Sequence, residues 1–177
     1  AAQLELANSV SGEEMPGVGD VIKLRVPGVD GDVSPSDVGV GVSQTLPVIA
    51  AVLLANPGDL IVLEQPELHL HPDAQLRLAK FFIAAIQTGR KLVIESHSEH
   101  FLNQLRLSVA VAGQEAASKL TQDVGFVFAE RGQDGESQFK SVSLTAEGSV
   151  VNWPKGFFDQ GSRIARQLLS LRNKANS

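Results

Sequence analysis

Two short apolar runs constrain this chain more than any other feature. Leu60–Glu64 reads LIVLE and Lys91–Glu95 reads KLVIE. Each is a nearly continuous aliphatic segment of strand length, the pattern of strands buried on both faces of a parallel sheet. Each ends on an acid. Between them lie a compact loop, Gln65–Pro72, and a helical stretch from about Asp73 to Gln87. Asp73 suits the helix N-terminus, and Leu76, Ala79, Phe82, Ile83 and Ile86 form its apolar stripe. Thr88-Gly89 ends it. Strand, crossover helix and second strand predict a right-handed βαβ unit. Its parallel strands bring both acid-tipped ends to one edge, the edge at which open α/β sheets bind ligands.

The flanking segments extend this unit. Val42–Asn56 (VSQTLPVIAAVLLAN) is apolar on nearly every side and predicts a buried helix. Pro47 is tolerable there only near the first turn, and Asn56-Pro57-Gly58 stops the helix. Val21–Val26 (VIKLRV) alternates like a half-exposed strand. Residues 1–19 show no clear period and read as a surface segment or a broken-off connection, while Pro27–Asp37 is dense in Gly, Pro, Asp and Ser and reads as a loop. After the second apolar strand, Ser96-His97-Ser98-Glu99 has capping-box spacing and predicts a helix running to about Ala110. Beyond it, Asp123–Arg131 and Gln138–Leu144 alternate like antiparallel strands around a turn containing Gln133-Asp134-Gly135. Val150–Gln160 is aromatic and irregular. Ser162–Lys174 predicts a helix carrying Arg163, Arg166, Arg172 and Lys174 and no acid. The change in character divides the chain into an α/β part, residues 1–120, and a small α+β extension, residues 121–177.

Composition narrows the function classes. A chain of 177 residues with 43% apolar and 20% charged residues can fill one core, as a domain or one lobe of a larger domain. The absence of Cys removes disulfides and thiolate metal sites. A net charge of −5 argues against a wholly basic nucleic-acid coat but leaves room for a local basic patch. The longest apolar runs, Val48–Ala55 and Leu60–Leu63, are too short to span a bilayer. With no signal-peptide pattern at the start, the expected setting is soluble and cytoplasmic, with no membrane partner. Residue 1 is Ala and the only Met is Met15, which points to a processed chain or part of a longer one.

Three stretches could carry chemistry. In P-loop NTPases the acid closing the strand holds Mg²⁺, and the following residue polarises the attacking water. Glu64 and Gln65 occupy those two places, although a lone strand-end Glu more often simply faces solvent. His97 follows the second strand by two residues, where an imidazole can donate a hydrogen bond to a terminal phosphate. Taken alone, such a His is more often structural. Asp37–Pro47 (DVGVGVSQTLP) is Gly-rich and opens a helix, whose free N–H groups favour an anion. Their order is more specific than any one of them.

That order resembles the ABC-class ATPase heads: signature motif, Walker B strand, D-loop and switch-histidine loop. Within that class the chain resembles the predicted AAA-type ATPases grouped with the RecF, SMC and OLD-nuclease ATPases. Their hallmark, a run like EPELHLHP followed by THSEH, is matched by Glu64-Gln65-Pro66-Glu67-Leu68-His69-Leu70-His71-Pro72 and by Ser96-His97-Ser98-Glu99-His100. Asn152-Trp153-Pro154-Lys155-Gly156-Phe157-Phe158 looks like the small C-terminal domain of unknown function found on one branch. The resemblance spans roughly residues 21–160. It implies the C-terminal lobe of a P-loop NTPase head, with a short parallel sheet followed by a small hairpin and helix. It further implies ATP and Mg²⁺ as cofactors. Gly39, Gly41, Ser43 and Gln44 would be the signature element completing the nucleotide site of a second head, most simply in a homodimer. Glu64 would assist Mg²⁺, His71 stands at the D-loop position usually held by Asp, and His97 would sense the γ-phosphate. DNA repair or phage defence, with DNA or a nuclease as partner, would be the setting.

Two departures matter. No G-x-x-x-x-G-K-[ST] occurs, so the Walker A loop is missing. The family places that loop N-terminal to these motifs, which implies a further lobe and an inactive chain without it. The usual Asp-Glu pair is Glu64-Gln65, and Gln orients water without accepting its proton. Glu67 is then the nearest candidate base. Two alternatives stand beside this reading. One is a regulatory interaction module without ATPase activity. The other is a metal-dependent hydrolase built from Glu67, His69, His71, Glu95, His97 and His100.

Overall fold

The computed structural model describes residues 7–17, 19–154, 156, 158 and 160–175. It is a mixed α/β chain that divides into two compact units, Ala1–Leu105 and Arg106–Ser177.

The first unit opens with a hairpin of β1 (Ser9–Met15) and β2 (Gly19–Arg25), paired antiparallel from Ser9 opposite Arg25 to Met15 opposite Gly19. The segment holding β1 reads as aperiodic in sequence because all seven of its residues are exposed and no buried face imposes an alternation. Across its ladder to β2, Lys23 Nζ also lies 4.0 Å from Glu13 Oε2. Leu24 of β2 is fully buried and bridges to Val33 through N···O distances of 2.8 and 2.9 Å.

α1 (Val40–Leu54) is a one-sided helix rather than the buried one expected. It buries only Thr45, Ile49 and Val52, at spacings of four and three, while Leu53 and Leu54 stay 57% and 82% exposed. Pro47 lies inside the helix, beyond the first turn where the sequence reading places it.

β3 (Leu60–Glu64) and β4 (Lys91–Glu95) pair in parallel, Leu60 opposite Lys91 through Glu64 opposite Glu95. Their inner residues Ile61, Leu63, Leu92 and Ile94 pack on a core of Ile49, Val52, Leu70, Ala74, Leu78, Phe82 and Ala85. The expected burial on both faces is corrected here. Leu60, Val62 and Val93 on the opposite face are 62%, 64% and 53% exposed, because the core helices pack on one face only.

α2 (Pro72–Gln87) joins the two strands. Its buried stripe is Ala74, Leu78, Ala79, Phe82 and Ala85. Of the five residues expected in that role, only Ala79 and Phe82 belong to it, and Leu76, Ile83 and Ile86 are half-buried. The small alanines turn inward, where they permit close helix–sheet approach. Gly89, at φ +89°, ends the helix and donates to Ile86 O at 2.9 Å. α3 (Glu99–Val111) follows β4, and the boundary between the units falls within it.

The second unit holds a short helix the sequence reading does not anticipate, α4 (Gln114–Asp123), which buries Ala117 and Leu120. Then come β5 (Phe126–Arg131), β6 (Ser137–Leu144) and β7 (Val150–Val151) in an antiparallel sheet of that order. The expected hairpin is present, with Phe126 opposite Val142 and Arg131 opposite Ser137. Arg106 donates from Nε to Gly148 O at 2.9 Å, and its guanidinium lies 5.5 Å from the Trp153 ring centroid. Lys155 and Phe157 of the aromatic segment lie outside the described residues. α5 (Gln160–Ala175) closes the chain. Among the described residues no helix is long and apolar enough to cross a membrane.

Candidate functional site

The candidate site is built at the C-terminal edge shared by β3 and β4. Because the strands are parallel and in register, Glu64 and Glu95 end side by side. Gln65 N–H donates to Glu95 O at 2.9 Å, which extends the ladder one step past Glu64. The chain then turns sharply. Gln65 has φ +43° and His69 φ +64°, left-handed conformations that cost a non-Gly residue energy and cluster at functional sites. Leu68 N bonds Gln65 O and Leu70 N bonds Glu67 O, both at 3.1 Å, making two tight turns in loop 65–72.

Glu67 points inward and is only 6% exposed. Its Oε1 accepts from Ser96 Oγ at 2.7 Å and from the backbone N–H of His97 at 3.0 Å. Its Oε2 is buried with no hydrogen-bond partner among the described residues. Ser96 Oγ accepts in turn from Ser98 N at 3.1 Å. Ser98 Oγ accepts from His100 N at 3.1 Å and donates to Gln75 Oε1 at 2.6 Å. Gln75 Nε2 donates to Leu70 O at 2.9 Å. Ser98 thus caps α3, two residues later than the Ser96 of the expected capping box.

The His97 imidazole is largely exposed, with Nε2 3.1 Å from Glu95 Oε1. His71 is the N-cap of α2, its Nδ1 accepting from Asp73 N at 3.3 Å. Around the start of α1, Gly39 is at φ +93° and exposed, as is Gln44. Ser43 Oγ is turned back on its own helix, 3.0 Å from Val40 O. Gly41 has a steric role: a Cβ there would lie 2.6 Å from His69 O, so the α1 start presses on loop 65–72.

Glu64, Gln65, Glu67 and His97 therefore share one edge, with Gly41 touching the same loop. His69, His71 and His100 do not join Glu67, Glu95 and His97 in a metal-binding group. Among the described residues no three His, Asp or Glu are placed to hold an ion. Sequence reasoning missed the tie through Gln75, which carries no motif signal. The Ser-x-Ser pair before α3 could have pointed to the rest.

The family described as "AAA domain, putative AbiEii toxin, Type IV TA system" matches residues 4–103, more than half of the chain. The chain belongs to that family. Its AAA domain is followed by a match to "Protein of unknown function (DUF3696)" over residues 121–168. Two of the solved structures that share the fold are informative. One comes from work on ATP-driven dimerization and DNA-stimulated activation of SMC ATPases. Its TM-score is 0.54 at 15% identity, covering 81% of this chain and 79% of that one. The other is an SMC head bound to the C-winged helix domain of ScpA, with a TM-score of 0.54 at 14% identity. There the match covers 80% of this chain and only 40% of that one. No curated protein matches the chain. The AAA domain thus has the fold of a P-loop ATPase head of the SMC kind.

Proposed function

We propose that this chain supplies the signature, Walker B, D-loop and switch-histidine elements of an ATP-hydrolysing head that works as an ATP-gated dimerisation switch. The observation that carries the reading is the shared strand edge. Glu64 closes β3, and His97 leaves β4 two residues beyond the Glu95 that pairs with it. A carboxylate and an imidazole so placed suit the two ends of a phosphate–metal group.

The residues fit ATP with Mg²⁺. The exposed Glu64 carboxylate is a hard oxygen donor of the kind Mg²⁺ accepts, directly or through water. ATP supplies the phosphoanhydride bond when bound. Gln65 orients the attacking water without taking its proton, and the exposed His97 imidazole donates toward the γ-phosphate. Gly39, Gly41, Ser43 and Gln44 at the α1 start serve the nucleotide of a second head, and His71 holds the D-loop corner. A lobe carrying the Walker A loop completes the site, and without it the chain binds ATP weakly and turns over none. DNA or a nuclease is the partner class this reading favours, in DNA repair or phage defence.

In the intact protein, Glu64→Ala abolishes phosphate release and Gln65→Glu raises it. Single-turnover ATP hydrolysis measures both, and a rate unchanged by Glu64→Ala removes the Walker B assignment.

A further inference from the structure

Glu67 is three residues past Glu64, on the loop leaving β3, yet both of its hydrogen bonds run to the loop leaving β4. We infer that Glu67 is the positioning residue for His97: its carboxylate fixes the His97 backbone at the edge of the sheet, and from there the imidazole reaches Glu95 Oε1 at 3.1 Å. This rests on the reading of His97 as the γ-phosphate donor. The tie itself stands on geometry alone.

Three observations carry it. First, the contact is to the backbone N–H of His97 itself, at 3.0 Å, so the carboxylate fixes the residue rather than a neighbour. Second, the Ser96 hydroxyl bridges Glu67 Oε1 to the N–H of Ser98, and Ser98 caps α3. His97 is therefore held between a buried carboxylate on one side and the first turn of a helix on the other. Third, Glu67 is 6% exposed, and a carboxylate so buried persists only where donors converge on it.

The same geometry argues against Glu67 as the proton acceptor for the attacking water. Oε1 is engaged by two donors, and Oε2 is buried with no partner among the described residues. An amide would serve the positioning role, since its oxygen accepts both bonds as Oε1 does. A base would be lost by the same change. The loop carrying Glu67 also carries His69, whose carbonyl lies against Gly41. One short segment thus touches the α1 start and holds His97.

The test compares Glu67→Gln, Glu67→Ala, His97→Ala and the double variant Glu67→Ala/His97→Ala in the intact protein. Amide hydrogen exchange at His97 reads the tie without nucleotide. Glu67→Ala should speed it about tenfold or more, while Glu67→Gln leaves it near wild type. Steady-state ATP hydrolysis reads the coupling. Glu67→Ala should lower kcat about tenfold or more with little change in KM, and Glu67→Gln should stay within about threefold of wild type. The double variant should lose no more than His97→Ala alone, because two residues acting through one group are non-additive. Should Glu67→Ala fail to fold, Glu67→Asp, one methylene short of the β4 exit, takes its place in both arms. Equal kcat losses in Glu67→Gln and Glu67→Ala, multiplicative losses in the double variant, or unchanged His97 exchange in Glu67→Ala would each overturn the proposal. A protein with no ATPase activity but the expected exchange pattern keeps the tie and sinks only the ATPase reading.

Discussion

The β3–β4 pair and the β5–β6–β7 sheet secure the loops at their strand ends with different shares of side chain and backbone. At the parallel pair, the two exits are 29 to 30 residues apart in sequence and are tied by side chains, Glu67 to Ser96 and to His97 N–H. At the antiparallel sheet, the turns close on their own backbone. Gly132 N reaches Glu136 O at 2.7 Å, and Thr145 N reaches Ser149 O at 2.8 Å. Topology explains the contrast. A hairpin returns within a few residues and its ladder fixes the turn, whereas parallel strands need a long crossover, and here their exits share only the Gln65 N–H to Glu95 O bond beyond the last pair. Past that bond, the Glu67 side chain ties the two exits together. Burying polar groups to do so is costly unless each finds a partner, so the place where the chain buries Glu67 and Ser98 is the place to look for function.

Breaking each region at its tightest backbone contact sharpens this contrast. Gly148→Ala should have the largest effect. Gly148 has φ +74°, and a Cβ would overlap the Arg106 carbonyl oxygen and meet Ala110 Cβ at 3.3 Å. Backbone strain costs roughly 1–3 kcal/mol, and the overlap adds about 1–3 kcal/mol. Trp153, the only Trp, lies in this unit beside Arg106, so its fluorescence during urea unfolding reports the loss. Gly41→Ala comes next, with the overlap on His69 O and no positive φ, at about 1–3 kcal/mol. If the two units respond separately, Gly41→Ala leaves the Trp153 transition in place and shifts the far-ultraviolet signal. A Trp153 transition that moves equally in both variants defeats that independence.

Ser98→Ala should be milder and more local. It removes the cap of α3, worth about 1 kcal/mol, and takes from Gln75 Oε1 its 2.6 Å donor. Urea unfolding measures the loss, and hydrogen exchange at His100 N should rise with it. A silent Ser98→Ala would mean that the side-chain ties at this edge are incidental, and the contrast between the two regions would lose its meaning.

What the sequence makes legible follows the same division. The elements set by local pattern were readable: β4 at its observed limits, the βαβ order, and the β5–β6 hairpin. Burial was misjudged wherever it depends on what packs from a distance. LIVLE looks buried on both faces because aliphatic composition is the same whether one face or two are covered. The α2 stripe expected from Leu76, Ala79, Phe82, Ile83 and Ile86 shares only Ala79 and Phe82 with the observed one, in which Ala74, Leu78 and Ala85 face inward. β1 gives no sequence signal because a strand exposed on both faces needs no periodic residues. That Glu64, Gln65 and His97 lie at one edge of the β3–β4 pair is legible from their places at or just past the strand ends. The direction in which Glu67 points is not, since a carboxylate in a loop gives no sequence sign of burial.

The smallest predicted effect lies in the β6–β7 turn. Thr145 Oγ1 accepts from Glu147 N and Ser149 N, each at a long 3.3 Å. The Thr145 side chain, and secondarily the backbone N–H of Glu147, hold the Glu147 carboxyl below its ordinary value. A depressed carboxyl pKa stabilises the fold fully above the unfolded value, and the contribution is lost as pH falls through the folded one. Thr145→Val should therefore raise the Glu147 pKa toward its ordinary value. Any stability gap between wild type and variant should close as the pH is lowered through the acid range. At neutral pH the global cost should be small, as for other surface substitutions, because the Thr145 N to Ser149 O and Gly148 N to Thr145 O bonds still close the turn. A carboxyl-carbon NMR titration of Glu147 checks the shift. An unmoved titration would assign it to the backbone instead, and a large global loss would show that this sheet, too, depends on side chains to hold its turns.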